Sequence, residues 1–571
     1  MPGSCLRPLG PKAGWPQGHD PCQDPFRASI IYHPGQGLAY DAGGWSNRSG
    51  GRVPMRFFDS CDQAVLLTNA ESRKADMAAV EAGRSLAALM EAAGRAVAEV
   101  AWLQFRPRRV LVLAGPGNNG GDAYVAADHL RRMGVAVTIT SLAAAGRESA
   151  EAGAARERVE DLPQLSPEEL LAESAGPEAW DLVIDGLFGA GLSRPLAGPA
   201  AALVRWANDR ACRRLAIDIP SGVQGDDGAV LGEAIRADVT VTFFRRKRGH
   251  LLMPGRSYCG RIAIAEIGIP DTVLADIAPR VIANDPGWWQ AFWPRWPLTV
   301  HKYARGSLLV IGGRPPTLGA ARLAARAGLR VGAGIVTLAT PREAWAVQAA
   351  ALETVLVAPF DHADELADRL SDPRLKAVVF GPGAGRDEWT RRLVTLLRAR
   401  PRPTVLDADA LSAFASRPED LFALLDEDVV LTPHEGEFAR LFPDLATGGS
   451  KIARAQEAAR RAGAVVLLKG ADTVIAHPGG TAVVDAADCP QLATGGSGDI
   501  LSGLIGGLMA QGLPAMLAAT IGQWLLKTAA GHFGRGMIAS DLLAALPAAM
   551  AAVDRPSRPD AGPLPHGVRW G

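Results

Sequence analysis

Apolar, β-branched runs alternate with Ala-, Leu- and Arg-rich stretches of helical period along most of this chain, the pattern of parallel βαβ units whose sheet is covered on both faces. A long helical region is predicted over 71–105, interrupted at Gly83. Strands are predicted at 110–114, 135–140, 182–185, 215–219, 239–243 and 262–267. Between 270 and 299 the period fails and Pro and Trp accumulate (Trp288, Trp289, Trp293, Trp296), which places a junction there. A second series then starts afresh, with strands predicted at 308–311, 335–338, 377–380, 404–406, 429–432 and 465–468, a hairpin around Pro478, Gly479 and Gly480, and a long helical region opening near Gly498. Two α/β domains are expected, at 60–275 and 301–555, with 276–300 as the junction and 556–571 as a tail.

Composition narrows this picture in five places. The 571 residues allow two or more domains, and 48% hydrophobic with 21% charged residues is ordinary globular usage. Sixty Lys plus Arg balance sixty Asp plus Glu, so the basic footprint of a nucleic-acid binder is missing from the chain as a whole. The cysteines (Cys5, Cys22, Cys61, Cys212, Cys259, Cys489) show no CxxC spacing, which argues against a structural zinc or a secreted disulfide framework and for a reducing cytoplasm. Residues 1–59, rich in Gly and Pro and without apolar period, read as a disordered extension with Met55 as a second candidate start. The uncharged stretch 500–526 is long enough to span a bilayer, but Gly503, Gly506, Gly507, Gly512 and Pro514 suit close packing of buried helices better.

Candidate chemistry gathers where predicted strands end. The strand 110–114 runs into Gly115-Pro116-Gly117-Asn118-Asn119-Gly120-Gly121-Asp122 and then a helix, a turn in which backbone amides and the helix start can meet a pyrophosphate. No acidic residue follows the next strand, which disfavours ordinary hydride-transfer dinucleotide binding. Two further strand ends carry Asp185, followed by 186–195, and Asp218-Ile219-Pro220-Ser221-Gly222. A lone aspartate there is commonly a cap; three polar strand ends on one sheet edge point to a shared pocket.

In that order these three segments resemble the NAD(P)H-hydrate epimerase family, over about 66–270. The resemblance implies a Rossmann-like three-layer sandwich that interconverts the R and S forms of hydrated NADH or NADPH. It assigns Asn118, Asn119, Gly120, Gly121 and Asp122 with Gly189, Ala190, Gly191, Leu192, Ser193, Arg194 and Pro195 to the dinucleotide, Asp218 to proton transfer, and Asn119, Asp185 and Ser221 to a potassium ion, for which oxygen donors are suited.

In the second half, Thr494-Gly495-Gly496-Ser497-Gly498-Asp499 precedes a helix, an arrangement in which small residues leave amides free for a phosphoryl group and an aspartate can take a hydroxyl proton. The pattern GxxxxGK[ST] is absent, so this is no P-loop. Four strand ends converge with it: 381–385, 407–411, 432–437 and 469–473. His434 with Glu435 and Glu437 lacks HExxH spacing and fits substrate positioning better than metal ligation. Lys469 either contacts phosphate or simply closes a strand.

These segments, with His301-Lys302 and the run 319–334, resemble the ribokinase-like fold and more narrowly the NAD(P)H-hydrate dehydratase family, over about 301–546. Tyr303 stands where the family commonly has glycine. The resemblance implies nucleotide-dependent dehydration of the S hydrate, with ADP and magnesium, Asp499 as the base, Ala320, Gly383 and His434 at the hydrate, and Lys469, Gly470, Ala471, Asp472, Thr473 and Gly498 at the nucleotide. The ligands expected are small molecules, with neither nucleic acid nor membrane, and a homo-oligomer is expected. The rival reading is a vitamin or sugar kinase of the same fold joined to a noncatalytic Rossmann-like binding domain.

Overall fold

The first long helical region begins with a reciprocal cap. The Thr68 hydroxyl accepts the Glu71 N–H at 3.1 Å while the Glu71 carboxylate accepts the Thr68 N–H at 2.7 Å, which starts the helix Asn69–Glu81. Gly83 and Ser85 separate it from Leu86–Phe105, as the break in period predicts. The computed structural model describes residues 38–41, 44–47, 52–53, 63–143, 148–172, 180–486, 488–554 and 564–570. Within the expected extension, Leu38–Asp41, Gly44–Asn47 and Arg52–Val53 pair as a small antiparallel sheet; the rest of 1–59 lies outside the described residues.

Among the described residues the first half is built on a 7-stranded sheet. Its parallel strands lie in the spatial order Arg261–Ala265, Val239–Phe243, Arg213–Ile217, Leu182–Gly186, Arg109–Ala114, Ala136–Ser141. The edge beside Arg261–Ala265 is closed by Val568–Trp570, an antiparallel strand from the far end of the chain, inside the segment read as a tail. Helices cover both faces, so the strands read as continuous apolar runs rather than alternating ones.

The second half carries a 10-stranded sheet. Parallel strands from Leu356–Phe360 at one edge to Val465–Leu468 are followed by the antiparallel pair Asp472–Ala476 and Ala482–Ala486, and then by Val281–Ala283, a strand drawn from the junction. Both halves are thus α/β, and each sheet borrows an edge strand from outside its own run of sequence. The apolar stretch 500–526 forms two buried helices, Ser497–Ala510 and Ala515–Ala530. A side chain at Gly503 would sit 2.1 Å from the Ala324 carbonyl oxygen, so glycine is what lets this helix lie against Leu318–Arg330. No helix among the described residues is long and apolar enough to cross a membrane.

Candidate functional site

The first centre forms at the C-terminal edge of the first sheet. The turn after Arg109–Ala114 folds tightly against the next strand end: a Cβ at Gly115 would lie 1.7 Å from the Leu187 carbonyl oxygen. That packing starts the helix Asn118–Arg132 with no side-chain cap, leaving its first amides facing a cavity of about 540 Å³. Asp218 holds a left-handed backbone (φ 65°), a strained conformation for a residue with a side chain, and its carboxylate faces the cavity. One carboxylate oxygen accepts Lys247 Nζ at 2.5 Å and Thr242 Oγ1 at 3.1 Å; the other accepts the Ala190 N–H at 3.2 Å. A Cβ at Gly189 would stand 3.3 Å from both Asn119 Oδ1 and Asp218 Oδ2, so the three strand ends do meet.

Charge in this pocket is sorted by neighbours. Burial pushes Asp218 up, but the Lys247 charge and hydrogen bond, with His250 and the Ala190 amide, outweigh it and hold the carboxyl below its ordinary value. Asp76 and Asp122 lack such a grip. Burial and the Asp218 charge raise Asp76 to about 6 and Asp122 well above its ordinary value. His250 is buried and neutral, pushed down to about 4 by burial and by Lys247. Its Nδ1 accepts the Lys247 N–H at 2.9 Å, so Nε2 carries the proton and donates to the Asp218 carbonyl oxygen at 2.8 Å. It braces the strained residue from behind.

Asp185 lies beneath this floor and is fully buried. Its oxygens accept the Ser221 hydroxyl at 2.6 Å, the Ser221 N–H at 2.8 Å and the Leu187 N–H at 3.2 Å. Among the described residues no basic side chain pairs with it, and burial raises it to about 6 despite those bonds. Asn119 Nδ2 is buried with no hydrogen-bond partner among the described residues.

The second centre forms around the start of Ser497–Ala510. Lys469 Nζ donates to Asp407 Oδ1 at 2.9 Å, and Ser502 Oγ donates to Asp407 Oδ2 at 2.7 Å. Burial alone would raise Asp407; these donors, Lys469 foremost, hold it low. Asp499 has no such partner: burial, with the charges of Asp407 and Asp409, raises it to about 6 against the pull of Lys469. The other strand ends close around this pair. The Lys469 N–H meets the Pro433 carbonyl at 2.9 Å, the Gly385 N–H meets Asp409 at 3.0 Å, and Thr317 Oγ1, ahead of the helix that holds Ala320, donates to the Gly383 carbonyl at 2.9 Å. A cavity of about 790 Å³ opens beside Lys469 and Gly498.

Residues 86–249 match a family described as YjeF-related protein N-terminus, and 308–548 match one described as NAD(P)H-hydrate dehydratase. The bifunctional NAD(P)H-hydrate repair enzyme Nnr of Salinibacter ruber is 36% identical over 493 residues, covering 80% of this chain and 91% of that protein. The chain belongs to the bifunctional NAD(P)H-hydrate repair enzyme family. The same-named protein of Moorella thermoacetica is 37% identical over 494 residues, covering 80% and 91%. The solved ADP/ATP-dependent NAD(P)H-hydrate dehydratase of Bacillus subtilis, co-crystallised with ATP and Mg2+, is 26% identical with a TM-score of 0.42, covering 48% of this chain and 98% of that one. The match over 308–548 agrees with the ribokinase-like fold expected of the second half, and a kinase joined to a noncatalytic domain is not favoured.

Within this repair enzyme the first cavity is lined by Asn118, Asn119, Asp122, Asp218 and the loop from Gly189 to Arg194. Gly120 and Gly121 are buried in the helix start, and Pro195 is exposed outside the cavity wall. Asp185 and Ser221 meet below the wall. In the second cavity Lys469, Gly470, Ala471, Thr473 and Gly498 line the wall. Asp472 does not, because its carboxylate is taken by Lys451 Nζ at 2.8 Å and by the Met253 N–H at 2.9 Å. His434 caps Glu435–Leu441: its Nδ1 accepts the Gly436 N–H at 3.0 Å while its own N–H goes to Glu437 at 3.0 Å. Lys247, His250 and Asp76 are not singled out in the sequence reading; Asp407 lies in the strand end 407–411 expected to converge on this site, without a role of its own. The basic run Arg245 to Arg248, directly after a buried strand, was the available signal for Lys247. Tyr303 is exposed, with the Arg374 guanidinium 5.1 Å from its ring centre.

Proposed function

We propose that this enzyme repairs hydrated NADH and NADPH at two separate centres, with Asp218 acting in epimerisation of the R and S hydrates and Asp499 in ADP-dependent dehydration of the S hydrate. The observation that carries the reading is that each half sets one partly buried aspartate within the influence of a lysine at the edge of its own sheet, Asp218 in direct contact with Lys247 and Asp499 under the charge of Lys469, facing or adjoining a cavity.

At the first centre, inverting the hydroxyl-bearing carbon requires the C–O bond to break and re-form on the opposite face. The departing hydroxyl takes a proton and leaves as water, the ring nitrogen lone pair stabilises the cation between, and the returning water gives a proton back. Asp218, held ionised, is the acceptor, while burial and the Asp218 charge favour the protonated form of Asp122, the donor, and below about pH 6 that of Asp76. The helix start and the loop 189–195 hold the dinucleotide. A potassium ion fits Asp185: a buried carboxylate next to the Ser221 hydroxyl, with no basic side chain paired to it among the described residues, offers the oxygen donors a hard cation takes, and the family resemblance adds Asn119.

At the second centre, hydroxide is a poor leaving group and phosphate a good one. Asp499 takes the hydroxyl proton as that oxygen attacks the terminal phosphorus of ADP, and AMP departs. The ring nitrogen lone pair then expels phosphate, and loss of a proton from the adjacent carbon restores NAD(P)H. Ala320, Gly383 and His434 face the hydrate in this reading, and Lys469, Gly470, Ala471, Thr473 and Gly498 the nucleotide. Magnesium, bound with the nucleotide, would neutralise its phosphate charge. A cytoplasmic homo-oligomer belongs to the same reading. Trp345, Val347 and Leu356, exposed near the free edge of the second sheet, support the assembly.

The deciding experiment is incubation with mixed hydrate epimers, watching the absorbance of reduced nicotinamide return. Complete recovery with ADP and none without it is expected. Recovery that stops at the S fraction, or needs no nucleotide, overturns the assignment.

A further inference from the structure

We propose that the first half of the chain builds one wall of the nucleotide site of the second half, with Arg256 as its cationic contact to the nucleotide. This deepens the reading above and rests on its placement of ADP beside Lys469 and Gly498. That cavity, about 790 Å³ and so of a size to take a small ligand, is not closed by the second half. Its far side is made by Met253, Arg256, Ser257, Gly260 and Arg261, all from the end of the first half. The two sides are joined where the Met253 N–H donates to Asp472 at 2.9 Å; that aspartate also holds Lys451, at the base of the 469–473 turn.

Arg256 is arranged to be recruited. Its guanidinium meets Asp488 across the cavity rim, Nη2 to Oδ2 at 2.6 Å and Nε to Oδ1 at 3.3 Å. The Asp488 side chain is 84% exposed while that of Arg256 is 21% exposed, so the cation is fixed in the wall and its partner stands in solvent. An exposed ion pair of this kind contributes little to stability, and a polyphosphate offers the same planar fork two oxygens and more charge. The other acidic residue of the wall, Asp238, is already committed to Arg213 and to the Arg214 N–H, both at 2.8 Å. Lys469, held by Asp407 at 2.9 Å, and Arg256 thus both line the space, and in its lining Asp488 is left to compete with an anion for Arg256. Leu501, Leu526, Pro490 and Leu492 supply an apolar surface for a base. Under this proposal the fusion does more than join two activities in one chain: the dehydratase has an incomplete nucleotide site without its neighbour.

The test is calorimetric titration of ADP with Mg2+ into the full chain and four variants, each checked for an unchanged thermal midpoint. Arg256→Ala weakens ADP about tenfold, the size of one lost charge-assisted contact; Arg256→Lys recovers most of that loss. Asp488→Ala tightens ADP, because it removes the competitor. Ser257→Trp, which fills the space from the first half without touching the ion pair, abolishes binding. Arg256→Ala within twofold of wild type overturns the proposal. So does Asp488→Ala weakening ADP as much as Arg256→Ala, since the pair would then be only a strut between the halves. Wild-type chain that binds no ADP overturns the nucleotide site itself, and with it this inference; that failure shows before any variant is made.

Discussion

The two centres place an aspartate beside a lysine and use the lysine in opposite ways. At the first, Lys247 grips Asp218 itself at 2.5 Å, and the carboxylate stays ionised although it is buried. At the second, Lys469 grips Asp407 at 2.9 Å, and Asp499 is left facing two carboxylates, raised to about 6. One half holds a fixed negative charge against a ring that becomes cationic; the other holds a base whose affinity for a proton is close to working pH, where general-base catalysis is most effective. The same pair of residue types thus yields two functions, decided by which carboxylate the cation touches.

The strongest way to break this comparison is to remove each aspartate in turn. Asp218→Ala is expected to lower epimerisation by about 10²–10⁴-fold while S-hydrate dehydration continues, and Asp499→Ala to do the reverse, within the usual span of acid–base contributions. Assays on separated epimers check both, and loss of the two activities together in either variant would show that the centres are not independent. A sharper test alters only the neighbour. Asp499 is raised first by burial and next by Asp407; with Asp407→Asn the repelling charge goes and Lys469 is released towards Asp499. The acid limb of dehydration kcat/KM, expected near pH 6, should move down by about one pH unit, a tenfold change in the proton affinity of Asp499. A limb that stays in place would mean that burial alone sets it.

Much of this arrangement is legible in the sequence, and the rest is not, for physical reasons. Strands buried on both faces announce themselves as apolar runs, so the central strands of each sheet fell within a residue or two of their predicted places. Leu356–Phe360 was missed because it is an edge strand, with Leu356 exposed and Pro359 in it, a residue an edge tolerates and a central strand does not. Val281–Ala283 and Val568–Trp570 are strands only through pairing with distant partners, and three residues carry no period of their own. Asp218 and Asp499 were visible because local loop chemistry surrounds them. Lys247, His250 and Asp407 act on them across the fold, and Asp472 was assigned to the nucleotide because a local motif cannot show that its carboxylate is held by a backbone amide of the other half.

The smallest expected effect separates the halves by cation. Asp185 is buried with no basic partner and is raised to about 6, whereas in the unfolded chain it ionises near its ordinary value of 3.8. Its neutral form is therefore favoured by folding. Stability that is intact at low pH is lost as pH rises through about 6, by an amount on the order of 3 kcal/mol for a shift of that size. A potassium ion bound by Asp185, Ser221 and Asn119 would recover part of it, because a ligand that binds only the folded, ionised form stabilises by mass action. Potassium chloride, compared with choline chloride at equal ionic strength, is expected to raise the thermal midpoint of the first half by about 2–4 °C at pH 8 and not at pH 5, where the proton occupies Asp185. Asp185→Asn should abolish the difference at pH 8, since it removes the charge the ion answers. An equal rise at both pH values would place the cation elsewhere, and the first centre would then carry an uncompensated buried carboxylate for which this reading has no use.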